Sequence, residues 1–370
     1  MKILITGSNG FIGKNLVSYL KEKENVHLYL FSKNDSNTIL DAYLEDVDFI
    51  FHLAGVNRPE HKKEFYEGNS DLTKHIVTTL EKKEKKTPIV LSSSIQAEID
   101  NDYGKSKLQA ENYLFEYSKK TGANVSIYRL PNVFGKWCKP NYNSVIATWC
   151  FNINNNIPLQ VNDENHLLNL VYVDDVIDSF LANLEKQQTT GYCQIPIIYK
   201  KTLGEVKNLL EKFKENRETL LIPEVGAGFE RALYATYLSY TPHNLFSYEL
   251  KGHTDNRGTF YEILKTLSSG QFSLSTTAPG VTRGNHYHHT KNEKFLVVKG
   301  EALLEYRHIV TNEIIRYKVS DKKMEVIEMI PGYTHNITNI GDEEMILFLW
   351  ANENFDPSNP DTYFSKVQNK

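Results

Sequence analysis

Cysteine is scarce in this sequence. Cys138, Cys150 and Cys193 are spaced neither as a disulfide framework nor as a thiolate metal site, which fits a reducing, cytoplasmic compartment. No apolar run approaches the roughly 20 residues that a membrane span requires. Low-complexity tracts and internal repeats are also missing. Neither sign of charge dominates: 42 Lys and Arg against 46 Asp and Glu leave −4, with no basic footprint for nucleic acid. The run at 81–86 mixes signs and reads as a solvated helix end. The opening residues 1–7, MKILITG, read as a strand rather than a signal peptide. These absences leave a cytoplasmic enzyme acting on soluble substrates, with no membrane and no nucleic-acid partner. At 370 residues the chain exceeds what one core usually holds, so two domains are expected.

Residues 2–6 form an apolar run, expected as a buried strand. Gly7-x2-Gly10-x2-Gly13 follows, and Phe11, Leu16, Val17 and Leu20 recur at helical spacing. Strand, glycine turn and helix form the context of a dinucleotide fingerprint. Gly7, Gly10, Phe11, Ile12 and Gly13 are therefore expected at a pyrophosphate, where a helix N-terminus supplies amide donors. A second strand over 26–31 ends in Ser32-Lys33 instead of an acidic residue. A hydroxyl and an ammonium suit a 2′-phosphate, so NADPH is expected over NADH, although Asp35 lies close. A third strand over 47–53 runs into His52-Leu53-Ala54-Gly55, with Leu53, Ala54 and Gly55 expected beside the cofactor. Residues 64–80 read as a helix carrying Asn69. A fourth strand over 89–91 ends at Ser92-Ser93-Ser94, and Asn101-Asp102 can cap a helix starting at Tyr103. A fifth strand over 125–128 leads to Arg129-x2-Asn132. This alternation predicts an α/β, doubly wound parallel sheet of the Rossmann type.

Tyr103 and Lys107 lie four apart, on one helical face. A tyrosine can protonate the alkoxide left by hydride addition to a carbonyl. A lysine beside it favours phenolate and can hold the nicotinamide ribose. A serine can orient the substrate oxygen. Tyr103 is thus the expected acid and Lys107 the tuning cation. Ser93 or Ser94 supplies the hydroxyl, and Ser94, next to the loop, is favoured.

The ordered set of Gly7-x2-Gly10-x2-Gly13, His52-x-Ala54-Gly55, the serines before Tyr103-x3-Lys107, Arg129-x2-Asn132 and Val171-Tyr-Val-Asp174-Asp175 resembles the extended short-chain dehydrogenase/reductases that act on nucleotide sugars. The resemblance spans roughly residues 1–240. It departs in one respect: only eight residues separate Ser94 from Tyr103. It implies that the segment 136–144 lines a nucleotide-sugar pocket and that Asn69, Asn132 and Lys139 bind substrate.

Residues 241–246 read as a linker, which divides the chain into domains 1–243 and 244–370. Beyond it, short strands with frequent turns predict an all-β module. His286 and His288 are two apart and share one face of a strand. Glu293 follows a short polar turn and opens the apolar run 295–298, so a hairpin is expected to return it beside the histidines. His335 follows Pro331-Gly332. Three imidazoles and a carboxylate suit zinc, iron, manganese or nickel. Residues 280–300 match G-x5-H-x-H-x4-E-x6-G at every fixed position and so resemble the first cupin motif. The second cupin motif is matched from Gly332 through His335 to Asn339, with its proline displaced and its leading glycine missing. The resemblance implies a cupin barrel with His286, His288, Glu293 and His335 as metal ligands. The segment around Asp255-Asn-Arg257-Gly resembles the opening of sugar-modifying cupins.

A reductase followed by a cupin resembles the bifunctional enzymes of capsular polysaccharide biosynthesis on the route to UDP-N-acetyl-L-fucosamine. That resemblance implies a UDP-linked 4-keto-6-deoxy amino sugar, UDP-2-acetamido-2,6-dideoxy-4-ketohexose. The cupin would epimerise C3 and the reductase would reduce C4 with NADPH, giving UDP-2-acetamido-2,6-dideoxy-L-talose. Zinc and a homodimer are implied as well. Two other readings stay open: an NAD-retaining epimerase or dehydratase whose cupin only dimerises or senses ligand, and a fusion to an iron oxygenase. Sequence alone leaves the base of the cupin unassigned.

Overall fold

Apolar runs without polar alternation make strands that are buried on both faces. The first such run is β1 (Lys2–Thr6), whose Ile3, Leu4 and Ile5 are fully buried. The computed structural model describes residues 1–186 and 189–368. It divides into two compact units, Met1–Leu210 with Ala232–Thr241, and Glu211–Arg231 with Pro242–Lys370.

In the first unit β1 is followed by α1 (Phe11–Lys21), β2 (His27–Phe31), α2 (Asn37–Asp46), β3 (Phe49–His52), α3 (Lys63–Phe65) and α4 (Leu72–Lys82). Then come β4 (Ile89–Ser94), α5 (Asp102–Thr121), β5 (Val125–Leu130), β6 (Asn132–Phe134), α6 (Val145–Asn154), β7 (Leu167–Tyr172), α7 (Val173–Glu185), β8 (Gly191–Cys193) and β9 (Tyr199–Thr202). The main sheet runs β2-β1-β3-β4-β5-β8, and every neighbouring pair is parallel. This is the expected doubly wound arrangement. The chain reverses its direction of travel at β1, so the C-terminal ends of β1 and β3 open a crevice. A smaller sheet joins β6, β7 and β9. One face of the main sheet packs Leu4, Ile50, Leu91 and Ile127 against Leu40, Leu44, Ile76, Leu80, Leu114 and Tyr117.

The expected helix over 64–80 is interrupted. A π-helical turn, Tyr66–Asp71, separates α3 from α4. A Cβ on Gly68 would lie 2.4 Å from Val56 Cγ2, so glycine permits the close approach of this turn to the chain leaving β3.

In the second unit the elements are β10 (Leu221–Ile222), β11 (Gly252–Asp255), β12 (Gly258–Thr266), β13 (Gln271–Thr277), β14 (Thr282–Tyr287) and β15 (Glu293–Lys299). They continue with β16 (Glu301–His308), β17 (Ile314–Ser320), β18 (Val326–Met329), β19 (Tyr333–Asn339), β20 (Met345–Ala351) and β21 (Tyr363–Phe364). One sheet runs β10-β12-β13-β20-β15-β18 with β11 beside β12, and the other runs β17-β16-β19-β14-β21. Alternating burial, as in β13 and β15, marks one face of each strand for the interior. Phe295, Val297, Met345 and Leu347 from the first sheet meet Leu304, Tyr306, Val319 and Ile337 from the second in one core.

Two expectations change here. The cut at 243/244 gives way to a division that assigns Glu211–Arg231 to the second unit, because β10 pairs with β12. The hairpin joining His288 to Glu293 does not form: β14 pairs with β19 and β21, whereas β15 pairs with β18 and β20. The turn between them carries the chain from one sheet to the other. Among the described residues no helix is long and apolar enough to cross a membrane.

His52, at the end of β3, is 1% exposed and contacts Thr6 Oγ1 at 2.7 Å and Thr73 Oγ1 at 2.8 Å. Burial, aided by the Lys107 charge, pushes its imidazole down to about 3. The unfolded chain, with an ordinary imidazole near 6.5, therefore takes up the proton first as pH falls. Stability of the first unit should fall below about pH 6.5, with His52 contributing at most ~1.4 kcal/mol per pH unit down to its folded value. Urea titrations between pH 7 and 4 should give a shallower slope, by up to one proton, for His52→Gln.

Candidate functional site

The C-terminal edge of the parallel sheet is where the first unit holds its cleft. Gly7 has φ +69°, and a Cβ there would lie 2.7 Å from the Ala54 amide nitrogen. A Cβ on Gly13 would lie 2.2 Å from Gly7 O. These positions therefore require glycine, and the turn stays low against β3. Gly10 is the N-cap of α1 and provides no side-chain cap, so the first helical amides are left for another acceptor. Gly10 N donates to Gly7 O at 2.9 Å, which closes the turn. A cradle of this form fits a dinucleotide pyrophosphate.

The cleft has a volume of about 1140 Å³. Of the expected residues, Gly7, Gly10, Phe11, Ile12, Gly13, Leu53, Gly55, Ser94, Tyr103, Lys107, Asn132 and Lys139 line it. Ala54 lies beneath the glycine turn and donates its amide to Thr6 Oγ1 at 3.2 Å. Asn69 is directed elsewhere. It is buried, its Oδ1 accepts from Val56 N at 2.9 Å, and its Nδ2 donates to Val56 O and Ser106 Oγ at 3.0 and 2.9 Å. The expected contact with substrate is replaced by a brace between the π-helical turn and α5.

The two serines part company because neighbouring residues of a strand face opposite ways. Ser93 Oγ donates to the buried carboxylate of Glu111, which Arg129 also grips, its Nη2 lying 2.6 Å from Glu111 Oε2. Ser94 instead hydrogen-bonds Tyr103. Tyr103 stands on the first turn of α5, where Asn101 caps the helix by accepting from Gly104 N at 2.7 Å. Burial raises the Tyr103 phenol, and the Ser94 hydrogen bond works against that rise.

Lys107 follows Tyr103 by one turn of α5 and lines the same cleft. Its Nζ donates to Ser92 O at 3.3 Å, and burial pushes the ammonium down to about 8, against the pull of Glu111. The group acting directly on the phenol is Ser94. A Cβ on Gly55 would lie 2.8 Å from Lys107 Nζ, so glycine keeps the cleft open to this nitrogen.

Ser32, at the end of β2, is already engaged: its amide and hydroxyl donate to Asp35 Oδ2 at 2.7 and 2.8 Å. Lys33 is exposed. Trp137 and Tyr142 belong to the segment expected at the pocket, whereas sequence reasoning passed over Arg58 as a site residue; all three line the cleft. Arg58 and Lys139 both lie over the Tyr142 ring, 5.7 and 5.5 Å from its centroid. Two cations on one aromatic ring suit an anionic group with a flat neighbour. The available signal was a pair of basic residues beside aromatic ones, which is common on any surface.

The second unit holds a separate cluster. His286 of β14 lies directly opposite His335 of β19 in the sheet register, and their ring centroids are 4.7 Å apart. His288 follows β14. Glu293 opens β15 and sends Oε2 across to 3.4 Å from His288 Nε2 and 3.6 Å from His335 Nε2. One ligand atom from each of the four residues lies within 4.8 Å of all the others. Nε2 of His288 and Nε2 of His335 are buried without a hydrogen-bond partner. Burial, followed by the neighbouring His335, holds the His286 imidazole down to about 4. Burial opposes ionisation of Glu293, but the facing imidazoles of His288 and His335, with the Lys291 charge, keep its carboxyl well below the usual carboxylate range. Orphaned nitrogens converging on a carboxylate fit a divalent metal ion, because buried polar groups otherwise find partners. The four expected ligands are thus together, although by a route between sheets rather than by a hairpin.

Similarity to known proteins follows these boundaries. Residues 3–193 match the NAD dependent epimerase/dehydratase family, and residues 253–363 match the polysaccharide biosynthesis C-terminal domain. Over 368 residues the chain is 47% identical to a UDP-2-acetamido-2,6-beta-L-arabino-hexul-4-ose reductase of Pseudomonas aeruginosa, covering 99% of each protein. The crystal structure of the capsular polysaccharide assembling protein CapF from Staphylococcus aureus superposes with a TM-score of 0.92 at 50% identity, over 99% of this chain and 100% of that one. A UDP-glucose 4-epimerase from Thermotoga maritima, 17% identical, shares the fold with a TM-score of 0.56 over 65% of this chain and 98% of its own. With a glycine cradle, a Ser94–Tyr103 pair and full-length relatives of both units, the chain belongs to the NAD dependent epimerase/dehydratase family, in the branch of CapF and the UDP-2-acetamido-2,6-beta-L-arabino-hexul-4-ose reductase.

Proposed function

We propose that this protein is a bifunctional nucleotide-sugar enzyme of capsule biosynthesis. Its substrate is a UDP-2-acetamido-2,6-dideoxy-4-ketohexose. The second unit epimerises C3, and the first reduces the C4 ketone to give UDP-2-acetamido-2,6-dideoxy-L-talose. The observation that carries the reading is the Ser94–Tyr103 pair in the glycine-lined cleft of a chain similar along its whole length to a reductase of a 4-ketohexose.

Bound in the cradle of Gly7, Gly10 and Gly13, NADPH supplies the hydride. Ser94 and Tyr103 hold the C4 oxygen between two hydroxyls, and Tyr103 gives up its proton as negative charge grows there. Lys107, buried beside Gly55, holds the ribose hydroxyls and offsets the charge left on the phenol. Arg58 and Lys139 neutralise the diphosphate, with Tyr142 against the nucleotide. Asn132 contacts the sugar. Lys33 faces a 2′-phosphate, while the Ser32 hydrogen bonds draw the Asp35 carboxylate aside.

The second unit is read as a cupin. His286, His288, Glu293 and His335 hold a divalent ion, zinc by preference, which supplies Lewis acidity toward a neighbouring carbonyl. Around it, burial keeps His286 neutral, and the facing His288 and His335 keep Glu293 ionised, the forms that bind metal. The protein acts as a homodimer in the cytoplasm.

Four outcomes test these assignments. Tyr103→Phe should lower NADPH oxidation by about 100-fold or more while leaving cofactor affinity largely intact. Ser94→Ala should also slow turnover, whereas Ser93→Ala should act mainly on stability by releasing Glu111; a larger kcat loss for Ser93→Ala than for Ser94→Ala would reverse the assignment. For cofactor choice, Lys33→Asp should move preference toward NADH, read as the ratio of kcat/KM values. Finally, substrate in deuterated water without NADPH should exchange hydrogen at C3. That exchange should survive Tyr103→Phe and disappear in His286→Ala, His288→Ala, Glu293→Ala and His335→Ala. Exchange persisting in metal-free protein would remove the metal from the epimerisation. Cofactor turnover without net NADPH consumption would instead favour a cofactor-retaining epimerase.

A further inference from the structure

The four-residue cluster is wrapped by a segment far from it in sequence. Residues 361–367 run along the outside of β14, and β21 pairs His286 with Phe364 and Tyr287 with Tyr363. The backbone of one histidine is thereby tied to this segment. A second is tied through its side chain: His288 Nδ1 hydrogen-bonds the carbonyl oxygen of Asp361. A carbonyl only accepts, so Nδ1 must carry the proton and Nε2 must carry the lone pair. That Nε2 is the buried, unpartnered atom facing Glu293.

The Asp361 side chain organises the approach to Glu293. Its carboxylate accepts from the amides of His289, Thr290 and Lys291 at 2.9, 2.7 and 2.8 Å, and from Thr290 Oγ1 at 3.0 Å. These residues form the turn that crosses between the two sheets. The fourth position is reached as well, since Thr334, next to His335, donates its hydroxyl to Ser365 O. Buried Arg307 anchors the far end, donating through Nη2 to Lys366 O at 2.8 Å and Ser365 Oγ at 2.9 Å, and through Nε to Val367 O at 3.1 Å. Val367 is fully buried.

We propose that residues 361–367 are a strap that sets the geometry of the metal centre, with Asp361 as the positioning residue that fixes the His288 tautomer and the path from His288 to Glu293. The proposal rests on reading the cluster as a metal site. Outer partners of this kind raise ligand basicity and hold ring orientation, and losing them typically weakens metal binding 10- to 100-fold. Asp361 is not one of the four clustered residues, so its effect passes through His288 and the turn.

The test uses the full chain, cobalt(II) as the probe ion, and the variants Asp361→Ala and Asp361→Asn. Wild type should bind one cobalt with visible ligand-field bands. Asp361→Ala should shift those bands and weaken cobalt binding by about tenfold or more. Asp361→Asn, which keeps one acceptor oxygen, should restore most of the wild-type spectrum. A metal-free readout accompanies these: nitrogen-15 shifts of the His288 ring should report Nδ1–H in wild type and a mixed tautomer in Asp361→Ala, because losing the carboxylate that ties the strap to the turn lets the Asp361 carbonyl move off Nδ1. If wild type binds no cobalt but the tautomer still changes, the metal reading falls and the strap stands. Cobalt binding with spectrum, affinity and tautomer all unchanged in Asp361→Ala overturns the strap. A folded wild type whose His288 carries its proton on Nε2 overturns it too.

Discussion

The parallel pairing of β1 with β3, and of β3 with β4, is the constraint on which the first unit depends. In this register Thr6 lies beside His52, and His52 beside Leu91. β1 and β3 therefore end together while β4 runs on to Ser94, and each brings residues to the same edge: the glycine turn after β1, the chain through Gly55 after β3, and Ser94 at the end of β4. His52 locks the first two ends through Thr6 and reaches Thr73 on α4. A neutral imidazole can donate on one side and accept on the other, which is what a buried bridge between two hydroxyls requires. Without it, two polar threonines would be buried with fewer partners.

In both units, polar groups with a full set of partners stand beside groups that lack them. In the first, Glu111 is fully buried but meets Arg129, Tyr192 and Ser93, a structural network that holds β4, β5, β8 and α5 together. Lys107 is also buried, yet it has a single backbone acceptor, Ser92 O, and faces the cleft. The fully satisfied charge is the brace; the sparsely satisfied one is poised for a ligand. In the second unit the same contrast separates Asp361, with its row of amide donors, from His288 and His335, whose Nε2 atoms lack partners.

The likeness to CapF extends through both units. The chemistry proposed for each is carried by separate residues. Each unit buries its own core and positions its own polar groups through that core.

Legible in the sequence were the alternation of strand and helix, the need for glycine at Gly7 and Gly13, the Tyr103–Lys107 spacing, and the residue types of the His286, His288, Glu293 and His335 cluster. Those features are local: periodicity, turn chemistry and residue spacing leave their marks within a few positions. Tertiary structure decided the rest. Ser93 and Ser94 must face opposite ways on a strand, but only the packed sheet says which face bears Glu111 and which bears Tyr103. Asn69 has the chemistry of a substrate ligand, and the π-helical turn spends it on Val56 and Ser106. Lys107 reaches Ser92 O because α5 packs over the end of β4. Glu293 reaches His288 between two sheets, a path no hairpin rule predicts. Asp361 comes to His288 from 73 positions along the chain, and a contact at that separation is set by strand pairing and burial, which no local pattern encodes.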